Sequence, residues 1–237
     1  MSKVSRNQSD KTLRRLQTQL ASLKRELQIS QELKLEWMPN DSPRSGEVNG
    51  NSIRIYEADE AKALDTLRHE FVESFARKCL DEGADAYLGH GAHMLQGIEI
   101  YKQRPIFYSL GNFIVQRDLV SKLPSDFYDT FNLGPDASPQ DAFDARIQKS
   151  KRMQKMLEDP AFSQSIVAVC DFEDHKLHDL RLYPVELGLG KPRQQYGTPM
   201  LADSGKAKAI VERMARLSEP YGTKISFEQR VGVVSLP

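Results

Sequence analysis

An α/β fold is predicted for this 237-residue chain, because segments with apolar residues every three or four positions are interleaved with short runs alternating with period two. One junction is especially informative. A helix-period segment ends at Gly83, "ADAYLG" follows as a strand, and the loop after it carries two histidines. That is the αβ arrangement in which the C-terminal edge of a strand commonly holds the site. The composition, 39% hydrophobic and 28% charged, is enough to bury a core.

Residues 10–35, with Leu13, Leu16, Leu20, Leu23 and Leu27 on one seam, read as an amphipathic helix within an N-terminal helical segment, 1–38. The seam spans about two heptads, fewer than a coiled coil needs, so the helix is expected to dock on the rest of the fold. Residues 39–52, "PNDSPRSGEVNGNS", collect Pro, Gly, Asn and Ser and read as a linker, leaving 53–237 as the main domain. From Asp59 to Glu82 the residues Leu64, Leu67, Phe71, Phe75, Cys79 and Leu80 form one helical stripe, closed by Gly83. "IEIYK" and "PIFYSLG" form a hairpin across "QR", with Pro105 at the entry of its second strand. Helical pieces lie between Gln140 and Leu157. "SIVAVCDFEDHKLHDLRLYPVEL" is a second hairpin turning at 173–176, "LADSGKAKAIVERMARLSEPYG" is a capped helix, and "TKISFEQRVGVVSLP" is a closing hairpin.

Several function classes lack support. Lys plus Arg and Asp plus Glu number 33 each, so no global field favours nucleic acid or an anionic membrane, and basic patches interleaved with aromatics are absent. There is no G-x-S-x-G elbow, and "GLGKP" lacks phosphate-loop spacing. The N-terminus lacks the apolar core of a signal peptide, and no run reaches the roughly 18 apolar residues of a membrane span, so a cytoplasmic location is expected. Cys79 and Cys170 read as buried free thiols.

The chemistry concentrates in "GADAYLGHGAHMLQGIEIYKQRPIFYSLGNF", residues 83–113. His90 and His93 sit three apart on a glycine-flanked turn, and neutral imidazole is a common ligand for divalent transition metals. His69 reads as a helix-surface residue, His175 and His178 as exposed at a hairpin end, and Asp59, Glu60, Asp65 and Glu70 as a solvated helix face.

This stretch resembles the C-terminal motif of the CapA family of poly-γ-glutamate capsule biosynthesis proteins, carried by His90, His93, Gln96 and Tyr108 to Phe113. "SDFYDTFNLGPDASPQDAFDAR", "SIVAVCDFE", "LRLYPVELGLGKPRQQYGTPMLAD" and "VGVVSLP" extend the resemblance over about 67–237. It implies part of a calcineurin-like metallophosphoesterase sandwich, with β-hairpins and an N-terminal amphipathic helix, around a two-metal centre. His90 and His93 would be ligands for Mn, Fe or Zn, and Asn112 would orient a ligand or substrate oxygen.

Family members bring further ligands from an N-terminal half: an early Gly-Asp, an Asn-rich stretch ending in His, and a histidine-bearing strand. Here that strand's place reads "NSIRIYEADEAKALD", without histidine, and Ala92 replaces a proline often found before the second His. The expectation is therefore half a metal site: a chain lacking the ligand-bearing half, holding metal weakly and weakly active or inactive alone, as a hydrolase only if another source completes it. The competing expectation is a non-catalytic module or remnant that self-associates through its N-terminal helix and sheet edges. Neither reading names the small-molecule or polymer substrate.

Overall fold

The computed structural model describes residues 6–26, 29, 32–39, 45–49, 51–116, 120–134, 136–188, 191, 192 and 195–237. The chain divides into two compact units, Met1–Ala84 and Asp85–Pro237. The fold is mixed α/β.

The first unit contains α1 (Arg6–Glu26), β1 (Lys34–Trp37), β2 (Gly46–Asn49), β3 (Ser52–Ile55) and α2 (Glu60–Asp81). Its sheet has the order β1-β3-β2, with β1 parallel and β2 antiparallel to β3. Leu16 and Leu20 of α1, Ile53 and Ile55 of β3, and Ala63, Leu67 and Phe71 of α2 form one buried cluster. Of the leucine seam of α1, Leu16 and Leu20 are thus buried within their own unit, and Leu23 packs against the same cluster. Leu27 lies outside the described residues.

Two strands stand where the sequence reading placed none. Lys34–Trp37, assigned there to the helical segment, alternates with period two and packs Leu35 and Trp37 against the cluster. Gly46–Asn49 lies in the segment read as a linker, and pairing with β3 overrides its polar, Gly-containing composition. Along the row these strands share, Arg54 donates to Glu36 at 2.8 Å and to Glu47 at 3.0 Å, and Tyr56 donates to Glu47 at 2.8 Å.

The α2 boundaries follow from capping. Asp59 accepts from the Lys62 N–H at 3.0 Å, and Gly83 takes φ 108° just beyond the last turn. His69 is exposed as expected and pairs with Glu73 at 3.1 Å. Glu70 corrects the solvated-face reading: it is buried, on the α2 face beside Gly46. Burial first, and the Glu73 charge second, push its carboxyl up to about 7.

A carboxyl raised in the folded state is least costly while protonated, so its contribution to stability falls as pH climbs from about 4.5 through 7. Groups facing it are Glu73, His69, Arg77 and Glu47. His69, raised by its Glu73 bond, also loses its contribution as pH rises, but Glu70→Gln leaves that pair in place. Glu70→Gln is therefore expected to match the parent near pH 4 and exceed it by about 2 kcal/mol at pH 8, after allowing for partial solvent screening. Urea unfolding at both pH values measures this, and equal differences at the two would refute it.

The second unit contains β4 (Tyr87–Leu88), β5 (Ile98–Tyr101), β6 (Arg104–Phe107), α3 (Ser125–Thr130), α4 (Pro139–Lys149), α5 (Lys151–Glu158), β7 (Gln164–Glu173), β8 (Lys176–Glu186), β9 (Met200–Leu201), α6 (Ser204–Ser218), β10 (Lys224–Glu228) and β11 (Val231–Ser235). A five-stranded antiparallel sheet runs β10-β11-β8-β7, with β9 also on β8, and a three-stranded sheet runs β4-β6-β5, with β4 parallel to β6. Ile210 and Met214 of α6 join Leu180 and Leu182 of β8, Ile166 of β7, and Ile98 and Phe107 of the smaller sheet in one core. Asp203 caps α6, accepting from the Lys206 N–H at 3.0 Å, and Ser138 with Asp141 forms a capping box on α4.

All three expected hairpins form: β5–β6, β7–β8 and β10–β11. Each turns on two successive residues with positive φ, Lys102-Gln103, Asp174-His175 and Gln229-Arg230. The first turn lies one residue before the expected "QR", because Arg104 already pairs with Tyr101. Cys79 and Cys170 are free thiols, each half-buried. No helix among the described residues is long and apolar enough to cross a membrane.

Candidate metal centre

The site is built at the carboxyl end of β4. Gly89 continues the pairing, its N–H donating to the Phe107 carbonyl at 2.7 Å. A β-carbon at Gly89 would lie 2.3 Å from the Tyr108 carbonyl oxygen, so the close approach of the two backbones requires glycine. The chain then turns: the His93 N–H donates to the His90 carbonyl at 3.0 Å, and His93 adopts φ 55°. The imidazole rings meet edge to face, 4.9 Å between centroids, and both residues are exposed. Beyond the turn, Gln96 N–H donates to the Ser109 carbonyl at 2.9 Å and Leu95 bridges Leu110, tying the loop to the strand that returns from β6.

That return strand delivers Asn112. Gly111, at φ 78°, passes so close to Gln164 that a β-carbon would sit 2.7 Å from its carbonyl oxygen, and the bend sets Asn112 against His93. The Asn112 amide nitrogen donates to the His93 carbonyl at 3.0 Å, and its oxygen lies 2.9 Å from His93 Nδ1. Because the amide nitrogen is committed to a carbonyl, the group facing Nδ1 is the acceptor oxygen. Nδ1 is therefore the donor, and in the neutral ring this tautomer places the lone pair on Nε2, directed away from Asn112. A side-chain oxygen bonded to Nδ1 is an arrangement also met behind metal-binding histidines.

The structure thus brings together His90, His93 and Asn112. Gln96 is tied in through its backbone. His175 and His178 are exposed, and His175 Nδ1 lies 3.3 Å from Asp85 at the end of the β7–β8 hairpin. Among the described residues no group of three or more His, Cys, Asp or Glu is placed to hold a metal ion. The donor set of this turn is two imidazoles, fewer than the three protein ligands of a catalytic zinc site and without the carboxylates that neutralise a two-metal centre. The residues present do not by themselves fit such a centre.

One buried group escaped the sequence reading. Glu99 on β5 is buried and accepts from the Tyr108 hydroxyl at 2.6 Å, and the Tyr108 ring packs on Tyr221 at 4.8 Å. A carboxylate at a buried position of an otherwise apolar strand was the available signal. Apolar side chains also stand exposed around the turn: Leu88 just before it, and Phe113 and Ile114 just after Asn112.

The segment that builds this turn has known counterparts. Residues 65–117 match the family model of the bacterial capsule synthesis protein PGA_cap. The PGA_cap segment includes His90, His93, Gln96 and Asn112, so the histidine turn and its asparagine fall inside the match. "Capsule biosynthesis protein CapA" of Bacillus anthracis is 52% identical over 42 residues, 18% of this chain and 10% of that protein. "PGA biosynthesis protein CapA" of Bacillus subtilis strain 168 is 54% identical over 39 residues, 16% of this chain and 10% of its own length. A longer likeness is to "Uncharacterized protein y4sH" of Sinorhizobium fredii, 46% identical over 176 residues, which covers 70% of this chain and 37% of that protein. The chain therefore spans little more than a third of the length of that relative. The PGA_cap match and the two Bacillus proteins support a relation to the CapA family.

Proposed function

We propose that this chain is a CapA-like protein of capsule biosynthesis whose His90–His93 turn supplies two imidazole ligands to a divalent metal centre. Further ligands, including carboxylates, would come from a polypeptide outside the described residues. The observation that carries the reading is the reciprocal His93–Asn112 pair, which orients the ring within the PGA_cap segment so that Nε2 is the nitrogen left to face a ligand. In this reading the metal supplies Lewis-acid chemistry when bound, of the kind found in metallophosphatases. The chain's own residues act by orientation: Gly89 sets the turn, Asn112 fixes the ring of His93, and the exposed edge admits a polymer or small-molecule substrate.

Titration calorimetry with Zn²⁺ or Mn²⁺ tests it. The chain alone is expected to bind more weakly than about 10 μM, because two imidazoles fall short of a full ligand set. His90→Ala or His93→Ala should each abolish the binding, and Asn112→Ala should weaken it about tenfold, the effect typical of losing a ring-orienting partner. Manganese-dependent hydrolysis of a generic phosphomonoester by the chain alone should stay at background. Submicromolar binding that survives both histidine substitutions would refute the assignment.

A further inference from the structure

We propose that β7 is a docking edge for a second copy of this chain, pairing antiparallel with its own counterpart about a two-fold axis at Cys170. This inference stands independently of the metal reading. β7 is the terminal strand of the five-stranded sheet, and its ten residues pair with β8 along one side only. The other side is covered at its start, where the Ile166 N–H reaches the Leu110 carbonyl and Ser165 Oγ donates to the same oxygen. Since Ile166 points its backbone groups outward, so do Ala168, Cys170 and Phe172, by the alternation of a strand. Among the described residues no bond is made to that edge beyond Ile166. The β-bulge near Asp171 places its extra residue, His178, on β8, so the outer edge of β7 stays regular.

Edges of this length are ordinarily blunted by lysine, proline or a bulge. From Gln164 to Glu173 there is no Lys, Arg or Pro. Val167, Val169 and Phe172 are exposed instead, and Ala168 and Cys170 are only partly covered by the core they adjoin. The strand also suits itself as a partner. With the axis at Cys170, every outward residue that is free, 168 through 172, finds a mate: Ala168 meets Phe172 of the second copy, and Cys170 meets Cys170. Asp171 falls opposite Val169, so no carboxylate faces another. Arg181, beside Val169 on β8, then lies on the same face and in the same row as the second copy's Asp171. Opposite charges thus flank Val169 at both ends of the pairing.

The register sets the test. Sedimentation of the full chain should show a dimer at micromolar concentration. Cys170 would face itself at the roughly 5.5 Å Cα separation of a hydrogen-bonded antiparallel pair, within disulfide range. A mild oxidant that takes two electrons and two protons from the thiols should therefore link two chains. Cys79→Ser should still be linked and Cys170→Ser should not. Val169→Asp sets like charges against Asp171 twice and should weaken the dimer at least tenfold, whereas Val169→Lys should leave it as tight or tighter. A monomer at 100 μM, a dimer that does not link through Cys170, or equal effects of the two Val169 substitutions would each overturn the proposal; circular dichroism of each variant separates loss of pairing from loss of fold.

Discussion

Gly89→Ala is expected to lower the stability of the second unit by about 3 kcal/mol and to remove metal binding with it. The added methyl would stand 2.3 Å from the Tyr108 carbonyl oxygen, 3.0 Å from its carbonyl carbon and 3.1 Å from the Phe107 oxygen. These are main-chain atoms of a paired strand, so no flexible side chain can move aside, and the parallel contact between β4 and β6 must open. Overpacking of this kind costs about 1–3 kcal/mol, towards the upper end where the obstacle is backbone. Opening the strand pair also moves His90 and His93 away from Asn112, so calorimetric binding should disappear even where the variant remains folded. Gly91→Ala is the control, because no atom lies within 4 Å of the position a β-carbon would take there. If Gly89→Ala unfolds at the parental denaturant concentration, the backbone contact is not what holds the turn.

Phe71→Ala should cost still more, about 3–5 kcal/mol, the range for removing a fully buried aromatic ring. Phe71 is 1% exposed and belongs to the cluster formed by Leu16, Leu20, Ile53, Ile55, Ala63 and Leu67. The single tryptophan, Trp37, packs against the same cluster and donates to the Glu57 carbonyl at 2.8 Å, so its fluorescence reports the first unit specifically. A shifted tryptophan transition in urea is the expected result. An unchanged one would mean that α2 does not hold the first unit together.

Where sequence and structure agree, local chemistry was decisive. The span of α2 followed from Asp59 as cap, a stripe of apolar residues and Gly83, and the three hairpins followed from alternation broken by short polar turns. The disagreements are equally physical. β1 and β2 are four residues each, too short for period two to stand out; β1 depends on pairing with β3 18 positions further on, and β2 pairs with the strand next to it in sequence, Asn49 opposite Ser52, within a polar stretch that reads as a linker. Glu70 and Glu99 were hidden for a related reason: whether a carboxylate is buried depends on what another element lays over it. At the candidate site the two histidines and Asn112 stood out in the sequence. The bond between Asn112 and His93 spans 19 positions and arises only when the β6 return strand folds beside the β4 turn.

The hairpins carry one more consequence. Lys102-Gln103, Asp174-His175 and Gln229-Arg230 bend through a backbone region that glycine and asparagine occupy with less resistance, and all six are other residue types. Mutational drift towards Asn-Gly at these corners would ease the chain locally without touching the core or the histidine turn. The protein thus has untapped room for added robustness, which would let it tolerate damage elsewhere before losing its shape.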